Sequence, residues 1–405
     1  MTLDTSATVV VVGASLAGLR AAEALRAGGH GGPIVMIGAE RHVPYDRPPL
    51  SKQFLAGTWG LDRVVLRPPD ALAALALDLR LGHSAGALDT DGHRLELDDG
   101  TVVDFDGLVV ATGAAPRPLP GAPDLAGVHL LRTLEDSISL GAVASEGARV
   151  VVVGAGFIGS EVAATTSARG AQVTVVEALP QPLARVLGAE MGAACGALHL
   201  AHGVDLRTGV GVSGLVAGDD GSAVAGVALD DGSVLDADAV VVGIGVVPTT
   251  AWLEGSGLEI ADGVVADATL HAADDVVVAG DVARWFDQKL DALVRIEHWT
   301  NAAEQGAVAA RSLMAGRSGA EAYVPVPYFW SDQYDTKIQV IGHPRPDGDV
   351  EVVDGSPESG RFVALYGHEG ALVAALGFGR PRQLMAYRPL LETGASFDEA
   401  LALTR

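Results

Sequence analysis

The chain contains the same glycine-rich turn twice, and this repeat constrains its fold more than any other feature. VVVGASLAG occupies residues 10–18 and VVVGAGFIG occupies residues 151–159. In each copy, β-branched residues lead into a glycine, a small residue and another glycine five positions after the first. The first glycines, Gly13 and Gly154, lie 141 residues apart (154 − 13). A repeat of this kind predicts two related domains within one chain.

The second copy predicts a strand, a tight turn, a helix and a second strand. The helix is predicted from about Phe157 to Arg169, and the next strand, Gln172–Val176, leads into Glu177. Such a unit directs backbone N–H groups and the positive end of a helix dipole at one point, where a pyrophosphate can bind. A carboxylate at the position of Glu177 can accept hydrogen bonds from both ribose hydroxyls. Gly154 makes the turn, Gly156 lets the phosphates approach and Gly159 lets the helix and strand pack closely.

The first copy follows the same plan. A strand is predicted at Thr8–Val12, a helix ending near Ala27 and a strand at Ile34–Ile37, with the acid Glu40 just beyond. Ser15 replaces the middle glycine, and it still leaves room for a phosphate. Since each copy brings strand, helix, strand and acid, the two together favour nucleotide sites far more than one glycine turn would.

A second repeat supports two related domains. LELDDGTVVDFDGLVVATG at 95–113 and VALDDGSVLDADAVVVGIG at 227–245 each predict a strand, an Asp-Gly turn, a strand and a buried strand ending at glycine. Later, VVVAGDVARW at 276–285 predicts a buried strand that ends in Gly280-Asp281 at the start of a helix. The Asp281 carboxylate can bind sugar-like hydroxyls of a long cofactor that begins at the first loop. We therefore predict two dinucleotides, with the first domain interrupted by the second and resuming near residue 250.

Composition excludes several functional classes. The net charge is −24, so a surface that binds nucleic acid or anionic lipid is disfavoured. Cys195 is the one cysteine of the chain, which rules out an internal disulfide or a cysteine-pair redox centre. No metal site is predicted, because His199 and His202 have no third ligand nearby and are expected to be helix-surface residues. No apolar run is long enough to span a bilayer and no signal peptide is recognised, so we expect a soluble, cytoplasmic protein.

The motifs of the chain resemble those of a known family. The chain is similar to the NADH-dependent ferredoxin reductases that feed bacterial oxygenases, a branch of the glutathione-reductase-like FAD flavoproteins. The resemblance covers essentially the whole chain, and its most specific segments are VPYDRPPLSK (43–52), RIEHWTNAAEQGAVAA (295–310) and VPYFWSDQYDTKIQVIG (326–342). It implies an α/β fold with two Rossmann-like domains: an FAD domain (1–120 and 250–323), an inserted NAD domain (121–249) and a C-terminal α/β interface domain (324–405). It also implies a 2Fe–2S ferredoxin as partner.

The resemblance also assigns site residues. FAD is expected to contact Gly13, Ser15, Ala17, Gly18, Glu40, Arg47, Lys52, Ala85, Ala111, Thr112, Gly113, Arg132, Gly280, Asp281 and Trp299. NADH is expected to contact Gly154, Gly156, Phe157, Ile158, Gly159, Glu177, Gly245 and Glu297. Some relatives carry the acid for the FAD ribose one position earlier, where this chain has Ala39, so either Glu40 or a neighbour fills that role.

The resemblance places Lys52 beside the flavin N5 atom, paired with Glu161, as the catalytic pair. Trp299 and Trp330 lie in segments expected to cover the flavin ring, although both could be ordinary core aromatics. A helix beginning near Thr300 or Asn301 is expected to direct its N-terminus at the flavin edge where negative charge accumulates.

Several alternatives stay open at this stage. A rubredoxin reductase or an NADH oxidase-like flavoenzyme fits the same cofactors, and so does a redox-sensing flavoprotein that signals by association. Two basic segments are candidates for ferredoxin docking: Arg380, Arg382 and Arg388 within 370–391, and Arg41, Arg47 and Lys52 within 41–52. The arginines of the first segment could instead pair with acids elsewhere in the fold.

Overall fold

The computed structural model describes residues 2–403, which form two compact units that we treat separately. The first unit takes the described residues up to Asp46, then Leu61–Ala115 and Val246–Pro325. The second takes Arg47–Gly60, Pro116–Gly245 and the described residues from Val326 onward. Each unit is thus assembled from separate stretches of chain, as an inserted domain requires.

A six-stranded sheet forms the centre of the first unit. Its strands, in spatial order, are His271–Ala273, Val276–Val278, Gly107–Val110, Val9–Val12, Ile34–Gly38 and Leu77–Leu81. All neighbours are parallel except the first pair. Val276–Val278 pairs with Gly107–Val110, so a late stretch of chain completes the sheet that the N-terminus begins. The interrupted first domain of the predicted fold is confirmed by this pairing.

Two smaller sheets and three helices complete the first unit. One sheet contains Ala85–Asp89, Arg94–Leu97 and Val102–Asp104, and the other contains Val264–Ala266, Ala283–Asp287 and Ala292–Val294. The helices are Leu16–Ala27, Pro69–Ala73 and Trp299–Ala315. Short strands at Ala114–Pro116 and Val246–Pro248 lie where the chain passes from one unit to the other.

The helix predicted to start at Gly280-Asp281 is present only as a short 3-10 helix, Gly280–Val282, which runs directly into a strand at Ala283–Asp287. The physical reason is an alternation with period two: Ala283 and Trp285 are fully buried, while Arg284 and Phe286 are half-buried. The long helix begins later, at Trp299, one residue before the earliest predicted start.

Two helices of the first unit pack at very short range. A β-carbon placed on Gly306 would lie 2.2 Å from the carbonyl oxygen of Ala17, so only glycine fits there. This contact joins the helix that follows the first glycine turn, Leu16–Ala27, to the helix Trp299–Ala315. Both helices bury their apolar side chains against the valine-rich central sheet.

The second unit contains a five-stranded parallel sheet. Its spatial order is Asp205–Thr208, Gln172–Glu177, Arg149–Val153, Ala239–Val242 and Val128–His129. A three-stranded antiparallel sheet accompanies it: Val212–Ala217, Val224–Leu229 and Val234–Asp236. The helices of this part are Leu134–Val143, Phe157–Ala168 and Ala184–Ala201, and a 3-10 turn covers Pro48–Ser51.

The C-terminal part of the second unit is a five-stranded antiparallel sheet with three short helices. The strands, in order, are Tyr328–Gln333, Thr336–Gly342, Ala371–Phe378, Arg361–His368 and Asp349–Ser356. The helices are Pro381–Met385, Arg388–Thr393 and Phe397–Ala402. Met191 and Cys195 of helix Ala184–Ala201 share one apolar core with this sheet. The division into three domains at residues 120, 249 and 323 therefore stays a prediction.

Among residues 2–403, no helix is both long and apolar enough to cross a membrane.

Candidate functional site

The two units divide the predicted site residues between them. The first unit holds Gly13, Ser15, Ala17, Gly18, Glu40, Ala85, Ala111, Thr112, Gly113, Gly280, Asp281, Glu297 and Trp299. The second holds Arg47, Lys52, Arg132, Gly154, Gly156, Phe157, Ile158, Gly159, Glu161, Glu177 and Gly245.

The first glycine turn is built as a phosphate-binding loop, and we call residues 13–18 the first phosphate loop. Gly13 has a φ of +124°, and a β-carbon on it would lie 2.1 Å from the Ala111 carbonyl oxygen. A β-carbon on Gly18 would lie 2.0 Å from the Gly13 carbonyl oxygen. Both positions therefore require glycine. Ser15 precedes helix Leu16–Ala27 and makes no capping hydrogen bond, so its side chain leaves the first N–H groups of the helix available to an anion.

Three strand ends meet at the first phosphate loop. The parallel strands Val9–Val12, Gly107–Val110 and Val276–Val278 finish at the same edge of the sheet. Gly13, Ala111–Gly113 and Gly280-Asp281 follow these strands, and a β-carbon on Gly280 would lie 3.1 Å from that of Ala17. This edge is where parallel α/β sheets bind their ligands. The structure thus brings together the glycines that the sequence placed far apart.

A buried glutamine that sequence reasoning missed fixes the Gly280 turn. The Gln305 Oε1 atom accepts the Gly280 N–H at 2.8 Å, and the Asn301 amide donates to the same oxygen at 3.4 Å. The Tyr323 hydroxyl in turn donates to Asn301 at 3.1 Å. The start of the same helix is tied down by the Trp299 indole, which donates to Asp46 at 2.6 Å.

Glu40 already has a partner within the protein. The Tyr45 hydroxyl donates to its carboxylate, which is half-buried just beyond strand Ile34–Gly38. One oxygen of Glu40 is therefore engaged, and the choice between Glu40 and a neighbour for the FAD ribose stays a prediction.

The second phosphate loop, residues 154–159, repeats this construction in the second unit. Gly154 has a φ of +98°, and a β-carbon on Gly159 would lie 2.1 Å from the Gly154 carbonyl oxygen. The nearest atom to a β-carbon on Gly156 would be 3.9 Å away, so this glycine leaves open space. Gly156 also precedes helix Phe157–Ala168 without a side-chain cap. The loop therefore offers uncapped N–H groups and room for a pyrophosphate in front of them.

Glu177 is held rigidly at the end of its strand. One carboxylate oxygen accepts the Ala155 N–H at 2.8 Å, and the other accepts the Leu179 N–H at 2.8 Å. Two backbone donors thus fix the Glu177 side chain beside the second phosphate loop, where it can accept further hydrogen bonds from ribose hydroxyls. Gly245, with a φ of +102°, follows the neighbouring strand Ala239–Val242 in the same unit.

The predicted pairing of Lys52 with Glu161 is present. The Lys52 Nζ atom lies 2.7 Å from Glu161 Oε2, with side chains 11% and 3% exposed. Lys52 follows the 3-10 turn Pro48–Ser51, and Glu161 lies in the second turn of helix Phe157–Ala168. A buried carboxylate is costly unless it is paired and hydrogen-bonded, so this arrangement is a constructed feature of the second unit.

Two serines complete the surroundings of Glu161, and sequence reasoning missed both. The Ser51 hydroxyl donates to Oε2 at 2.5 Å and the Ser331 hydroxyl donates to Oε1 at 2.8 Å. One signal was available: Phe329, Ser331 and Gln333 alternate along strand Tyr328–Gln333 and share its buried face. Two polar residues on a buried face indicate a polar partner inside the protein.

Other predicted residues are placed without forming a shared site. The Arg47 guanidinium donates to the Arg132 carbonyl within the second unit. Phe157 packs edge-to-face on Phe329 at 4.7 Å, and Ile158 is exposed. Glu297 is paired with Arg295 in the first unit, whereas the other residues assigned to NADH lie in the second.

The lone cysteine is not available for redox chemistry. Cys195 is fully buried in an apolar core, and this burial raises the pKa of its thiol to about 12. Since the thiolate is the reactive form, the group is inert at neutral pH.

The prediction that His199 is a surface residue is wrong. Its side chain is fully buried, and its Nδ1 lies 2.8 Å from the Tyr334 hydroxyl. Burial lowers the pKa of His199 to about 4, helped by the nearby His202. Tyr334 lies at the turn between strands Tyr328–Gln333 and Thr336–Gly342, and it covers His199. A sequence pattern within one helix could not reveal this contact.

In one of the two basic segments, two of the three arginines are in ion pairs. Arg380 lies 3.1 Å from Asp354, and Arg388 lies 2.9 Å from Glu392. Pairing with acids elsewhere was the alternative reading of these arginines. In the other segment, Lys52 is buried with Glu161, so neither segment presents all three of its cations to a partner.

The two phosphate loops fit the predicted cofactors. Each ends a buried parallel strand, requires glycine where backbone atoms approach, and begins an uncapped helix. The residues that would hold an FAD pyrophosphate are those of the first loop and Gly280-Asp281, and those for NADH are the second loop with Glu177.

Comparisons with known proteins agree with this geometry. A family model for pyridine nucleotide-disulphide oxidoreductases matches residues 7–306, and a reductase C-terminal model matches residues 328–404. Rhodocoxin reductase from Rhodococcus erythropolis is 39% identical over 98% of this chain and 95% of its own length. A second relative, from Burkholderia cepacia, is the ferredoxin--NAD(+) reductase component of the anthranilate 1,2-dioxygenase system. It is 40% identical over 96% of this chain and 95% of its own length.

One solved structure is similar to nearly the whole of this chain. The chain matches the crystal structure of a covalent putidaredoxin reductase–putidaredoxin complex with a TM-score of 0.93 and 33% identity. The match covers 98% of this chain and 96% of that chain.

Proposed function

The chain belongs to the pyridine nucleotide-disulphide oxidoreductase family, among its ferredoxin reductases, and from this premise we propose an NADH-dependent ferredoxin reductase. It transfers electrons from NADH through FAD to a 2Fe–2S ferredoxin that supplies an oxygenase of the haem-thiolate or Rieske type. One observation carries the proposal: two phosphate loops of the same construction occur in a chain whose single thiol is buried and inert. Two dinucleotides can bind, and electrons must leave without a cysteine relay.

FAD is proposed as the resident cofactor of the first phosphate loop and NADH as the exchanging substrate of the second. When bound, FAD supplies the chemistry that accepts one hydride, which carries two electrons, and releases the electrons one at a time. The chain contributes uncapped helix N-terminal N–H groups for both pyrophosphates.

Glu177 is proposed to choose between the two nicotinamide cofactors. Its two backbone donors fix the carboxylate, which accepts hydrogen bonds from ribose hydroxyls and repels a 2′-phosphate. Gln305 and Asn301 hold the Gly280 turn in place for the FAD side. Both contributions are positional.

Lys52 and Glu161 are proposed to act in hydride transfer. A buried ammonium stabilises negative charge that develops on a neighbouring group, and Glu161 holds that ammonium in place. We also propose that this pair lies beside the flavin and that Trp299 and Trp330 cover the flavin ring. The division into three domains and a cytoplasmic location, where NADH is supplied, are proposed as well.

The proposed function is tested by measuring how NADH oxidation depends on oxygen and on the electron acceptor. The purified FAD-loaded protein is given NADH in air, first alone and then with each of a small panel of 2Fe–2S ferredoxins and a rubredoxin. A ferredoxin reductase oxidises NADH slowly alone and rapidly with at least one ferredoxin. Fast NADH oxidation without any acceptor indicates an oxidase, and preference for rubredoxin indicates a rubredoxin reductase.

A further inference from the structure

Glu161 receives three hydrogen-bond donors from two different parts of the second unit. Ser51 and Lys52 donate to Oε2 at 2.5 and 2.7 Å, and both come from the segment Arg47–Gly60. Ser331 donates to Oε1 at 2.8 Å and comes from the C-terminal strand Tyr328–Gln333. Ser331 is fully buried and Glu161 is 3% exposed, so water has little access to replace a lost donor.

The direction of the Ser331 hydrogen bond is set by its neighbour. The Gln333 Nε2 atom donates to the Ser331 oxygen at 3.2 Å, and an amide nitrogen can only donate. The Ser331 proton therefore points at Glu161 Oε1. Hydrogen bonds to a buried charged group are worth more than neutral ones, and removing one leaves the full desolvation cost of the acceptor.

We propose that Ser331, in the C-terminal strand, is a positioning residue for hydride transfer: it orients the Glu161 carboxylate and thereby fixes the Lys52 ammonium. The C-terminal sheet thus supports the Lys52–Glu161 pair directly in addition to forming a core. This inference rests on the proposed reductase function, because the rate it concerns is the reduction of FAD by NADH.

Lys52 is the one charged side chain among residues 2–403 for which the structure shows a contact with Glu161. Asp332 lies on the opposite face of the same strand and pairs with Lys337 at 3.3 Å. Glu177, on the strand Gln172–Glu177 that packs on the helix, is bonded to the Ala155 and Leu179 N–H groups instead. The Arg47 guanidinium donates to the Arg132 carbonyl. A change in the hydrogen bonding of Glu161 in a Ser331 variant therefore reports on the lost hydroxyl and on Lys52.

The test compares Ser331→Ala, Ser331→Thr and Ser331→Cys as FAD-loaded proteins. Rapid mixing with NADH should show flavin reduction slowed about tenfold in Ser331→Ala, restored by Ser331→Thr and intermediate in Ser331→Cys, whose thiol is a weak donor. Infrared spectra of the resting protein provide a second readout, with Glu161→Gln assigning the carboxylate stretching band of Glu161. In Ser331→Ala that band should shift, because one hydrogen bond to the carboxylate is lost.

Ser160→Ala is the matched control. Ser160 is fully buried beside Glu161 on the same helix, and its hydroxyl makes no hydrogen bond to another described residue. It should leave both the reduction rate and the Glu161 carboxylate band unchanged. If Ser331→Ala does not fold, the Ser331→Cys and Ser331→Thr pair still decides: equal rates and equal carboxylate bands overturn the inference. A wild-type protein that NADH does not reduce would instead contradict the proposed function itself.

Discussion

The Lys52 ammonium lies 2.7 Å from Glu161 Oε2, and the two side chains are only 11% and 3% exposed. Buried ion pairs contribute little net stability, since the cost of removing both charges from water offsets their attraction. Breaking such a pair is a different matter, because one unpaired charge remains inside. A pair with two further serine donors is therefore better explained by a chemical role than by stability.

Replacing Lys52 by Ala should leave FAD bound and slow its reduction by NADH at least about tenfold, because the ammonium near developing charge is lost. The variant should also unfold more easily, by about 3 kcal/mol. Rapid-mixing kinetics and chemical denaturation measure the two effects.

A double variant separates these effects. Lys52→Met combined with Glu161→Gln removes both charges, so it should regain most of the stability and none of the rate. Lys289→Ala, at an exposed lysine of the first unit, is the control for general charge loss. An unaltered reduction step in Lys52→Ala would show that the pair is structural.

Replacing Glu177 by Ala should reduce the preference for NADH over NADPH. The fixed carboxylate is the group that rejects a 2′-phosphate, so the ratio of kcat/KM values should fall about tenfold or more. Steady-state kinetics with both cofactors measures it, and Glu190→Ala on the exposed side of helix Ala184–Ala201 should have no effect. A wild-type preference for NADPH would refute the assignment.

Cys195→Ala should reduce ferredoxin at nearly the wild-type rate. The thiol is buried and its pKa is raised to about 12, so it takes no part in electron transfer at neutral pH. The cavity left in the core should cost about 1–2 kcal/mol of stability. Loss of ferredoxin reduction in a folded variant with full FAD content would contradict direct transfer.

His199 should make the protein sensitive to mild acid. Its pKa is lowered to about 4 from an ordinary 6.5, so between these values the unfolded chain binds a proton that the folded chain does not. The free energy of unfolding should therefore fall as pH decreases, and this residue should account for about 2 kcal/mol between pH 7.5 and pH 5.

Chemical denaturation at the two pH values checks this contribution. His199→Gln, which can still bond the Tyr334 hydroxyl, should lose less stability on acidification than the wild type. His202→Gln keeps the buried imidazole and removes only the neighbouring charge, so it should still lose more stability on acidification than His199→Gln does. Equal losses in His199→Gln and the wild type would contradict the effect of burial.

The repeated glycine turns predicted the central architecture well. The helix predicted to end near Ala27 ends at Ala27, and the strand predicted at Ile34–Ile37 occupies Ile34–Gly38. These elements are set by local signals: β-branched runs, a glycine before each helix and a glycine after it. The interruption of the first domain was also visible, because each half of the chain repeats the other.

Contacts across the chain were harder to predict. Ser331 and Glu161 are 170 residues apart in the sequence, and Gln305 and Gly280 are 25 apart. In neither pair does a local sequence pattern identify the partner. His199 was misplaced for the same reason, since its cover comes from Tyr334. The Gly280 turn was misjudged because a glycine after a buried strand allows either a helix or a sharp return to a strand.

The most direct measurement counts electrons delivered to ferredoxin. Under anaerobic conditions the FAD-loaded protein is mixed with excess NADH and a large excess of a 2Fe–2S ferredoxin, and the reduced cluster is quantified by its electron paramagnetic resonance signal. A ferredoxin reductase should produce many reduced clusters per protein molecule, at a rate that NADPH does not match. If NADH reduces the flavin but no ferredoxin of the panel gains more than one electron per protein molecule, and a long-lived reduced complex accumulates, the chain is a redox sensor and the proposed function is wrong.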